Sequence, residues 1–293
     1  MFAIRGSGFG LYGYLPALVG CGQRVVLPER YRARFAERPE LAPFANEVVW
    51  AKDEAAALEL SDGAALALRP ADQAELVARI LAQARLERLI LEKPLAPSPD
   101  ESARLFEGLL RSKKTFRIGY VFRETSWGKR FLKAGGAKSI SWTFTAHHFR
   151  ADLRNWKRSH ASGGGPIRFF GIQLVALLAE AGYREVLSSS GTGGGLEELE
   201  TWEARFTGPG LPECRVEVQT RSPIEALRVD GLADLREPFE TETTAAGPGA
   251  VDRRVPILGA VCRSLWELGD APYGWYRTTL DLWRAVEDKL LLA

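Results

Sequence analysis

The sequence predicts an α/β protein in which a parallel, doubly wound sheet comes first. An α+β half with an open, mixed, largely antiparallel sheet follows. Short apolar strands alternate with helices in the first part, and longer β-rich segments dominate the rest. Parallel strands need helical crossovers, whereas antiparallel strands need only turns. Because 293 residues also exceed a typical single core, we expect two domains, 1–116 and 117–293.

A strand followed by a helix recurs five times in the first half. Short apolar runs predict strands at 2–4, 24–27, 47–50, 64–68 and 89–91. The segments between them predict helices at 11–19, 31–38, 54–60, 72–84 and 100–111. Each short strand therefore has the crossover that a doubly wound parallel sheet requires.

The pattern changes in the second half. Alternating or β-rich stretches predict strands at 139–148, 201–206, 213–220 and 224–229. Helices are predicted at 126–133, 165–181, 255–268 and 278–292. Strands separated by turns rather than by helices indicate the antiparallel part of an α+β domain.

Composition argues against several classes of partner. The 39 basic and 37 acidic residues give a net charge of +2, which does not favour nucleic acid or a membrane surface. No uncharged apolar run reaches the roughly 18 residues of a membrane span, and no export signal is visible. Cys21, Cys214 and Cys262 lack metal-ligand spacing. We expect a cytoplasmic protein with no metal site and unpaired thiols.

Three glycines follow the first predicted strand and precede a helix. A Gly-x-Gly turn lets the backbone approach a pyrophosphate, while the helix start offers unpaired N–H groups. Gly6, Gly8 and Gly10 have this context, and Leu11 takes the third position of the fingerprint counted from Gly6. Counting from Gly8 instead selects Gly10 and Gly13. A tight loop without a ligand is the alternative, but the pattern favours a dinucleotide site.

An acidic residue follows the second predicted strand. In dinucleotide sites an acid about 20 residues after the glycines binds the ribose hydroxyls, and a nearby arginine accommodates a 2′-phosphate. Glu29 has the first position, with Arg30 and Arg32 beside it. The acid favours NAD and the arginines permit NADP, so both stay open, as does a solvated helix start without a ligand.

The run Glu92-Lys93-Pro94 ends the fifth predicted strand, where ligands collect in parallel sheets. This run resembles the Glu-Lys-Pro signature of the glucose-fructose oxidoreductase/inositol dehydrogenase/MocA (Gfo/Idh/MocA) family. In that family the lysine lies beside both the nicotinamide and the substrate. The resemblance extends over about residues 1–182. It includes the turn around Phe9, Arg69-Pro70, Gly119-Tyr120, Trp156-Lys157 and Gly163-Gly164-Gly165.

The resemblance implies a Rossmann domain that binds NAD or NADP, and a second domain that binds a sugar or cyclitol. It implies cofactor contacts from the glycine turn with Phe9 and Leu11, from Arg69 and Pro70, and from Glu92 and Lys93. Substrate contacts are implied for Lys93, Tyr120, Trp156, Phe169 and Gln173. A homo-oligomer through the C-terminal sheet is expected as well.

The chain also departs from the family pattern. Members commonly carry Asp, His and Asp on the helix after the triple glycine, where this chain has Phe169, Gln173 and Ala176. Gln73 likewise stands where the family often has histidine. Glutamine cannot exchange a proton near neutral pH as histidine can, although its amide can bind a hydroxyl or carbonyl. The usual proton carrier is therefore missing.

Other groups are candidates for proton transfer. Lys93 is the first, because a partly desolvated lysine near a cationic ring has a lowered pKa; a purely structural Lys93 is the alternative. Tyr120 offers a phenolic proton. His147 and His148 are expected to close a strand and point to opposite faces, and we select His148. His160 precedes the glycine run in a loop.

Three functions stay open. The first is hydride transfer between NAD(P) and a sugar-like carbonyl or alcohol, with Lys93 polarising the oxygen. The second is a catalytically altered family member that acts as a dinucleotide or sugar sensor or an accessory subunit. The third is a reductase of a non-sugar imine or conjugated substrate. Retention of both Lys93 and the glycine turn favours an enzyme.

Overall fold

The computed structural model describes residues 1–241, 250–267 and 272–292. They form two compact units, which are described separately. The first unit comprises Met1–Leu95, Glu107–Val121 and the described part of Glu242–Asp270. The second comprises Ala96–Phe106, Phe122–Thr241 and the described part of Ala271–Ala293. The domain boundary between residues 116 and 117 stays a prediction.

A six-stranded parallel sheet forms the centre of the first unit. Its strands are β1 (Phe2–Arg5), β2 (Val25–Pro28), β3 (Val48–Ala51), β4 (Gly63–Leu66), β5 (Arg88–Leu91) and β6 (Thr115–Ile118). Their order is β3-β2-β1-β4-β5-β6, and every neighbouring pair is parallel. β1, β2 and β4 are almost wholly buried, which explains their continuous apolar sequences. The predicted doubly wound Rossmann sheet is confirmed.

Helices connect these strands. They are α1 (Leu15–Val19), α2 (Arg32–Ala36), α3 (Glu54–Glu59), α4 (Pro70–Ile80) and α5 (Pro99–Arg111). A π-helical turn, Gly10–Tyr14, precedes α1, so the predicted helix 11–19 begins with wider winding. Short 3-10 segments at Glu29–Tyr31 and Pro39–Glu47 flank α2. The five crossovers take the places that the sequence predicted, with boundaries that differ by a few residues.

The second unit contains a seven-stranded mixed sheet. The first elements of this unit, in chain order, are α6 (Ser126–Ala134), β7 (Ser139–Thr145), α7 (His147–Arg150), a π-helical turn at Pro166–Gly171 and α8 (Ile172–Ala181). Next come β8 (Glu185–Gly193), β9 (Leu199–Thr207), β10 (Cys214–Gln219), β11 (Arg221–Val229) and β12 (Ala233–Leu235).

Two helices and a strand complete the described chain. α9 (Val255–Arg263) belongs to the first unit, whereas α10 (Tyr273–Asp288) and β13 (Leu290–Leu292) belong to the second. The sheet order is β12-β11-β7-β10-β9-β8-β13. Two of its six pairings are parallel, β10 with β7 and β13 with β8, so the predicted mixed, largely antiparallel sheet is confirmed.

Several predicted elements were wrong. The strand expected at 139–148 ends at Thr145, and His147 and His148 lie in the short helix α7 rather than closing a strand. The helix expected at 278–292 begins at Tyr273, and its last residues form β13. α9 ends at Arg263, and position 268 of the helix predicted there lies outside the described residues.

The sequence analysis also missed β6. In the first half no strand was predicted after 89–91, and this one contains Arg117, which is buried. Its guanidinium donates to the Ser264 hydroxyl at 2.9 Å and to the Phe116 carbonyl at 2.9 Å. Hydrogen bonds of this kind offset the cost of burying a charge. A charged residue inside a parallel strand is therefore compatible with this sheet.

No helix in the described ranges is long and apolar enough to cross a membrane.

Candidate functional site

The glycine turn after β1 has a backbone that other residues cannot easily adopt. Gly6 has φ +117°, and a Cβ there would lie 2.2 Å from the Ala67 carbonyl oxygen. A Cβ on Gly8 would have no heavy atom within 4 Å, so this peptide has an open side. A Cβ on Gly10 would lie 2.7 Å from Ile4 Cγ2, so Gly10 lets the helix approach β1 closely. The turn thus supplies an open backbone next to a helix start.

Two residues after the turn have packing roles. Leu11 is fully buried, so it is a packing residue. A Cβ on Gly13 would lie 2.6 Å from the Phe9 ring, which also gives Gly13 a packing role. The geometry fits the register that starts at Gly6, with Gly10 instead of residue 11 making the close contact between helix and strand. The π-helical turn at Gly10–Tyr14 accompanies this shift.

The segment after β2 lies beside the glycine turn. Tyr31 is buried, and its hydroxyl accepts a hydrogen bond from the Gly6 N–H at 3.0 Å. Glu29 and Arg30 precede it in a 3-10 turn. Glu29 pairs with Arg32, and Arg30 pairs with Glu54. The structure therefore brings the predicted acid and its neighbouring arginines close to the glycines.

The Glu92-Lys93 loop is fixed by a buried amide. The Gln73 side chain donates to the carbonyl oxygens of Glu92 at 2.7 Å and Leu95 at 3.1 Å, and it accepts from the Glu92 N–H at 2.8 Å. The Lys93-Pro94 peptide bond in this loop is cis. From the sequence, Gln73 was identified only as standing where the family often has histidine. In the structure it is the residue that positions the loop containing Lys93.

Arg69 and Pro70 position that amide. Arg69 immediately precedes α4 and Pro70 is its first residue, where a missing N–H costs nothing. The Arg69 carbonyl accepts the Gln73 N–H at 2.8 Å. This start of α4 therefore places Gln73 one turn into the helix, facing the end of β5.

A buried phenol and carboxyl group lie at the end of β5. The Tyr14 hydroxyl donates to Glu92 Oε1 at 2.5 Å. A Cβ on Gly119 would lie 2.9 Å from that hydroxyl, so the glycine leaves room for the pair. Burial raises the pKa of Glu92, although the Lys93 ammonium, the Tyr14 hydrogen bond and Arg254 oppose the shift. Burial and Glu92 together raise the pKa of Tyr14 well above 10.

The sequence analysis missed two charged residues of the first unit. The Arg254 guanidinium stacks over the Phe9 ring at 4.4 Å and forms two hydrogen bonds of 2.8 Å to Asp252. Burial alone would lower the pKa of Arg254, but its pairing with Asp252 raises the pKa by more, so the net shift is upward. No local motif marks these residues, which are more than 240 positions from Phe9.

Tyr120 follows β6 in the first unit and is buried. Its N–H donates to the Ile118 carbonyl at 2.6 Å. The structure thus keeps Tyr120 on the same sheet as Glu92, since Gly119 donates its N–H to the Leu91 carbonyl at 2.8 Å.

In the second unit the predicted substrate residues lie among aromatic rings. The Trp156 and Phe169 rings are 5.2 Å apart and perpendicular, and the Lys157 ammonium lies 5.2 Å from the Phe169 ring centre. Gln173 is buried on α8. A Cβ on Gly164 would lie 2.3 Å from the Trp156 carbonyl, so the glycine run permits the Trp156-Lys157 segment to approach. Trp156 and Phe169 are brought together as aromatic partners.

Both buried imidazoles of the second unit are uncharged near neutral pH. Burial, together with the nearby positive charges of Arg158 and Lys157, lowers the pKa of His148 to about 4. Burial and the neighbouring Arg168 lower the pKa of His160 to about 3. Neither residue can donate a proton from an imidazolium at pH 7.

A buried ion pair lies beneath the triple-glycine segment. Arg168 binds both carboxylate oxygens of Glu287, at 2.7 and 2.5 Å, and donates to the carbonyls of Pro97 at 2.8 Å and His160 at 3.0 Å. The Trp283 indole N–H donates to the same carboxylate at 2.6 Å. Arg168 therefore holds two loops of the second unit through their main chains.

Within residues 1–241, 250–267 and 272–292, no group of three or more His, Cys, Asp or Glu side chains is arranged to hold a metal ion.

The described fold is similar to that of solved oxidoreductases. GenD2 from gentamicin A biosynthesis, in complex with NAD, is 16% identical; the match covers 98% of this chain and 94% of GenD2, with a TM-score of 0.68. The 3-ketoreductase KijD10 from Actinomadura kijaniata, in complex with NADP and TDP-benzene, is 14% identical (99% and 98% covered, TM-score 0.65). The WlbA dehydrogenase from Thermus thermophilus, in complex with NAD and UDP-GlcNAcA, is 17% identical (100% and 95% covered, TM-score 0.68).

No protein-family model and no curated protein matches the sequence. At these identities the likeness establishes the two-sheet α/β fold over nearly the whole chain.

Proposed function

We propose that this chain is an NAD(P)-dependent oxidoreductase of the Gfo/Idh/MocA family. It would transfer a hydride to or from a carbonyl or alcohol of a sugar-like substrate. The observation that carries the proposal is the pairing of two features on one sheet. An open glycine turn follows β1, and the Glu92-Lys93 loop, held by Gln73, follows β5. Ligands of doubly wound sheets bind at these carboxyl ends.

The residues present fit a dinucleotide. The open side of Gly8 would accommodate a pyrophosphate, just before the helical segment that begins at Gly10. Phe9, Leu11, Arg69 and Pro70 are proposed to shape this site. When bound, the nicotinamide ring accepts or donates the hydride. GenD2, KijD10 and WlbA were each crystallised with NAD or NADP, which supports the same cofactor class here.

Lys93 is the proposed catalytic residue. Its ammonium would donate a hydrogen bond to the substrate oxygen and exchange a proton with it. The Lys93 ammonium interacts electrostatically with the neighbouring Glu92 and lowers the pKa of its carboxyl group, against the larger effect of burial. Gln73 acts as a positioning residue, because its side-chain hydrogen bonds fix the main chain on both sides of Lys93.

The remaining site residues are proposed to bind the substrate. Tyr120 would supply a phenolic hydrogen bond, and Gln173 an amide. Trp156 and Phe169 would form an aromatic wall suited to an apolar sugar face. His148 is the weakest catalytic candidate, because its lowered pKa leaves it a poor proton acceptor at pH 7. The UDP-GlcNAcA of WlbA and the TDP-benzene of KijD10 support a substrate of the nucleotide-sugar type.

Location and assembly are part of the proposal. The unpaired thiols of Cys21, Cys214 and Cys262 fit a reducing, cytoplasmic compartment. A homo-oligomer would pair through the exposed face of the seven-stranded sheet. That face carries ion pairs such as Arg215 with Glu203, so the interface would be polar.

The proposal is tested by binding and by turnover. Nucleotide binding is measured by quenching of intrinsic fluorescence, and turnover by absorbance at the reduced nicotinamide band with a panel of nucleotide sugars and free sugars. We expect Lys93→Ala to retain nucleotide binding and to lose at least about 100-fold in kcat. The control Lys52→Ala changes an exposed lysine of the same unit and should leave kcat unchanged. Equal turnover of the Lys93 variant and the wild type would refute the role of Lys93.

A second function is supported by one specific observation. Phe169 and Gln173 replace acid-base groups of the family, and His148 and His160 are neutral near pH 7. This supports an altered member that binds a dinucleotide and a sugar as a sensor or accessory subunit. Tight nucleotide binding that persists while no sugar, imine or conjugated carbonyl changes the nucleotide absorbance would favour it over the enzyme.

A further inference from the structure

Three arginines, Arg30, Arg32 and Arg34, form a cluster that follows β2 next to the glycine turn. We infer that this cluster selects NADP(H) over NAD(H), with Arg34 as the residue that binds the 2′-phosphate. The inference rests on the proposed function, because it needs a dinucleotide at the glycine turn. It decides between the two cofactors that the sequence left open.

Arg34 reaches the glycine turn itself. Its guanidinium donates to the Ser7 hydroxyl at 3.2 Å, and Ser7 is the residue between Gly6 and Gly8. Arg34 is exposed, and no carboxylate among the described residues pairs with it. A guanidinium has five N–H donors, so several remain for a ligand. Arg34 and Ser7 together present donors of the kind that bind a phosphate group.

Glu29 is poorly arranged to bind a ribose diol. Both of its carboxylate oxygens accept hydrogen bonds from Arg32, one of them at 3.0 Å from Nη2. This pairing lowers the pKa of Glu29, so the carboxylate stays ionised and neutralised by its partner. Arg32 also stacks on the Trp50 ring at 4.2 Å, which fixes the pair in place. An NAD site needs such a carboxylate to accept from the ribose hydroxyls.

The arginine cluster has one positive charge more than the carboxylates that pair with it. Arg30 pairs with Glu54 and Arg32 pairs with Glu29, so three guanidinium groups and two carboxylates leave a charge of +1 on Arg34 among the described residues. Tyr31 ties the same segment to the turn through Gly6. A 2′-phosphate carries about −1.5 to −2 charges at neutral pH, so it gains more from this cation than a hydroxyl does.

The test compares two nucleotides without requiring turnover. Dissociation constants of NADPH and NADH are measured by titration calorimetry on the wild type, on Arg34→Ala and on the control Arg79→Ala. Arg79 is an exposed arginine on α4 of the same unit. We expect the wild type to bind NADPH at least about tenfold tighter, and Arg34→Ala to lose about that factor for NADPH alone. The Arg79 variant should match the wild type.

A second pair of probes isolates the phosphate. We expect 2′,5′-ADP to displace the bound nucleotide more strongly than 5′-AMP, and Glu29→Gln to leave NADH binding within about twofold. The inference is overturned if NADH binds as tightly as NADPH, if Glu29→Gln abolishes NADH binding, or if Arg34→Ala weakens both nucleotides equally. In each of these cases the proposed function stands. If neither nucleotide binds, the proposed function itself fails.

Discussion

The candidate residues of the two units differ in where the ionisable groups lie. In the first unit Glu92, Lys93 and Tyr14 are part of the candidate site. The uncharged amide of Gln73 supports their loop through hydrogen bonds to the main chain of Glu92. In the second unit the arrangement is reversed. The candidate residues are aromatic or uncharged, and the ion pair of Arg168 with Glu287 lies behind them. The charged candidate residues therefore lie in the first unit, and the aromatic or uncharged ones lie in the second.

The largest expected effect tests the support of the second unit. Glu287→Ala leaves Arg168 buried without its counter-ion and removes the acceptor of the Trp283 N–H. Breaking a buried pair in this way is expected to lower the free energy of unfolding by about 3–5 kcal/mol. Denaturant unfolding monitored by circular dichroism measures the change.

The matched control is Glu203→Ala, which removes an exposed partner from Arg215 on the sheet of the same unit. Exposed pairs contribute at most about 1 kcal/mol, so this variant should unfold almost as the wild type does. The double variant Arg168→Met/Glu287→Leu should recover part of the loss, since it leaves no buried charge; the Pro97 and His160 carbonyls and the Trp283 N–H still lose their partners. Similar losses for the two single variants would contradict the supporting role of Glu287.

The second prediction concerns the glycine turn of the first unit. Gly6→Ala places a methyl group 2.2 Å from the Ala67 carbonyl oxygen at φ +117°. That carbonyl cannot move easily, because the Ala67 N–H donates to the Arg5 carbonyl at 2.7 Å. Strain and overpacking together are expected to cost about 2–4 kcal/mol of unfolding free energy. Nucleotide binding should be lost as well.

Gly8→Ala separates stability from binding. A Cβ there meets no protein atom within 4 Å, so the unfolding free energy should change by less than about 0.5 kcal/mol. If the open side of Gly8 receives the pyrophosphate, the methyl group should weaken nucleotide binding while the fold is retained. Undiminished binding by Gly8→Ala would show that the pyrophosphate does not approach this peptide.

The sequence was sufficient for the parts of the fold that depend on local pattern. β1, β2 and β4 are buried on both faces, so their continuous apolar runs identify them. β6 was missed because the partner that makes buried Arg117 tolerable, Ser264, is 147 residues away. The short helix at His147–Arg150 was missed because β-branched and aromatic residues just before it prolonged the strand pattern.

The candidate site was predictable only where a motif is contiguous. The glycine turn and the run at Glu92 were identified from their order along the chain. The support that Gln73 gives to this run depends on hydrogen bonds across 19 to 22 residues, which no spacing rule shows. The contact of Arg254 with Phe9 depends on the return of the chain to the first unit. Tertiary contacts of this kind have no sequence signal in a single chain.

The last prediction tests whether the second unit lacks a proton carrier. His148 has a pKa of about 4 in the folded protein, below its ordinary value of 6.5, because burial disfavours the imidazolium. The unfolded chain therefore binds more protons between these values, so His148 lowers stability as the pH falls from about 6.5 towards 4. We expect His148→Gln to reduce the loss of unfolding free energy between pH 7 and pH 5 by about 1–2 kcal/mol.

The control for this measurement is His147→Gln, on the neighbouring residue. His147 is exposed, so this variant makes the same histidine-to-glutamine change on α7 without altering the buried imidazole. If His148→Gln leaves the pH dependence of unfolding unchanged, the buried imidazole has the same pKa in the folded protein as in the unfolded chain, near 6.5. The second unit would then hold a group able to donate a proton at neutral pH, and the contrast between the two units would disappear. A decrease in the pH dependence for His148→Gln alone would leave Lys93 and Tyr120 of the first unit as the groups to examine for proton transfer.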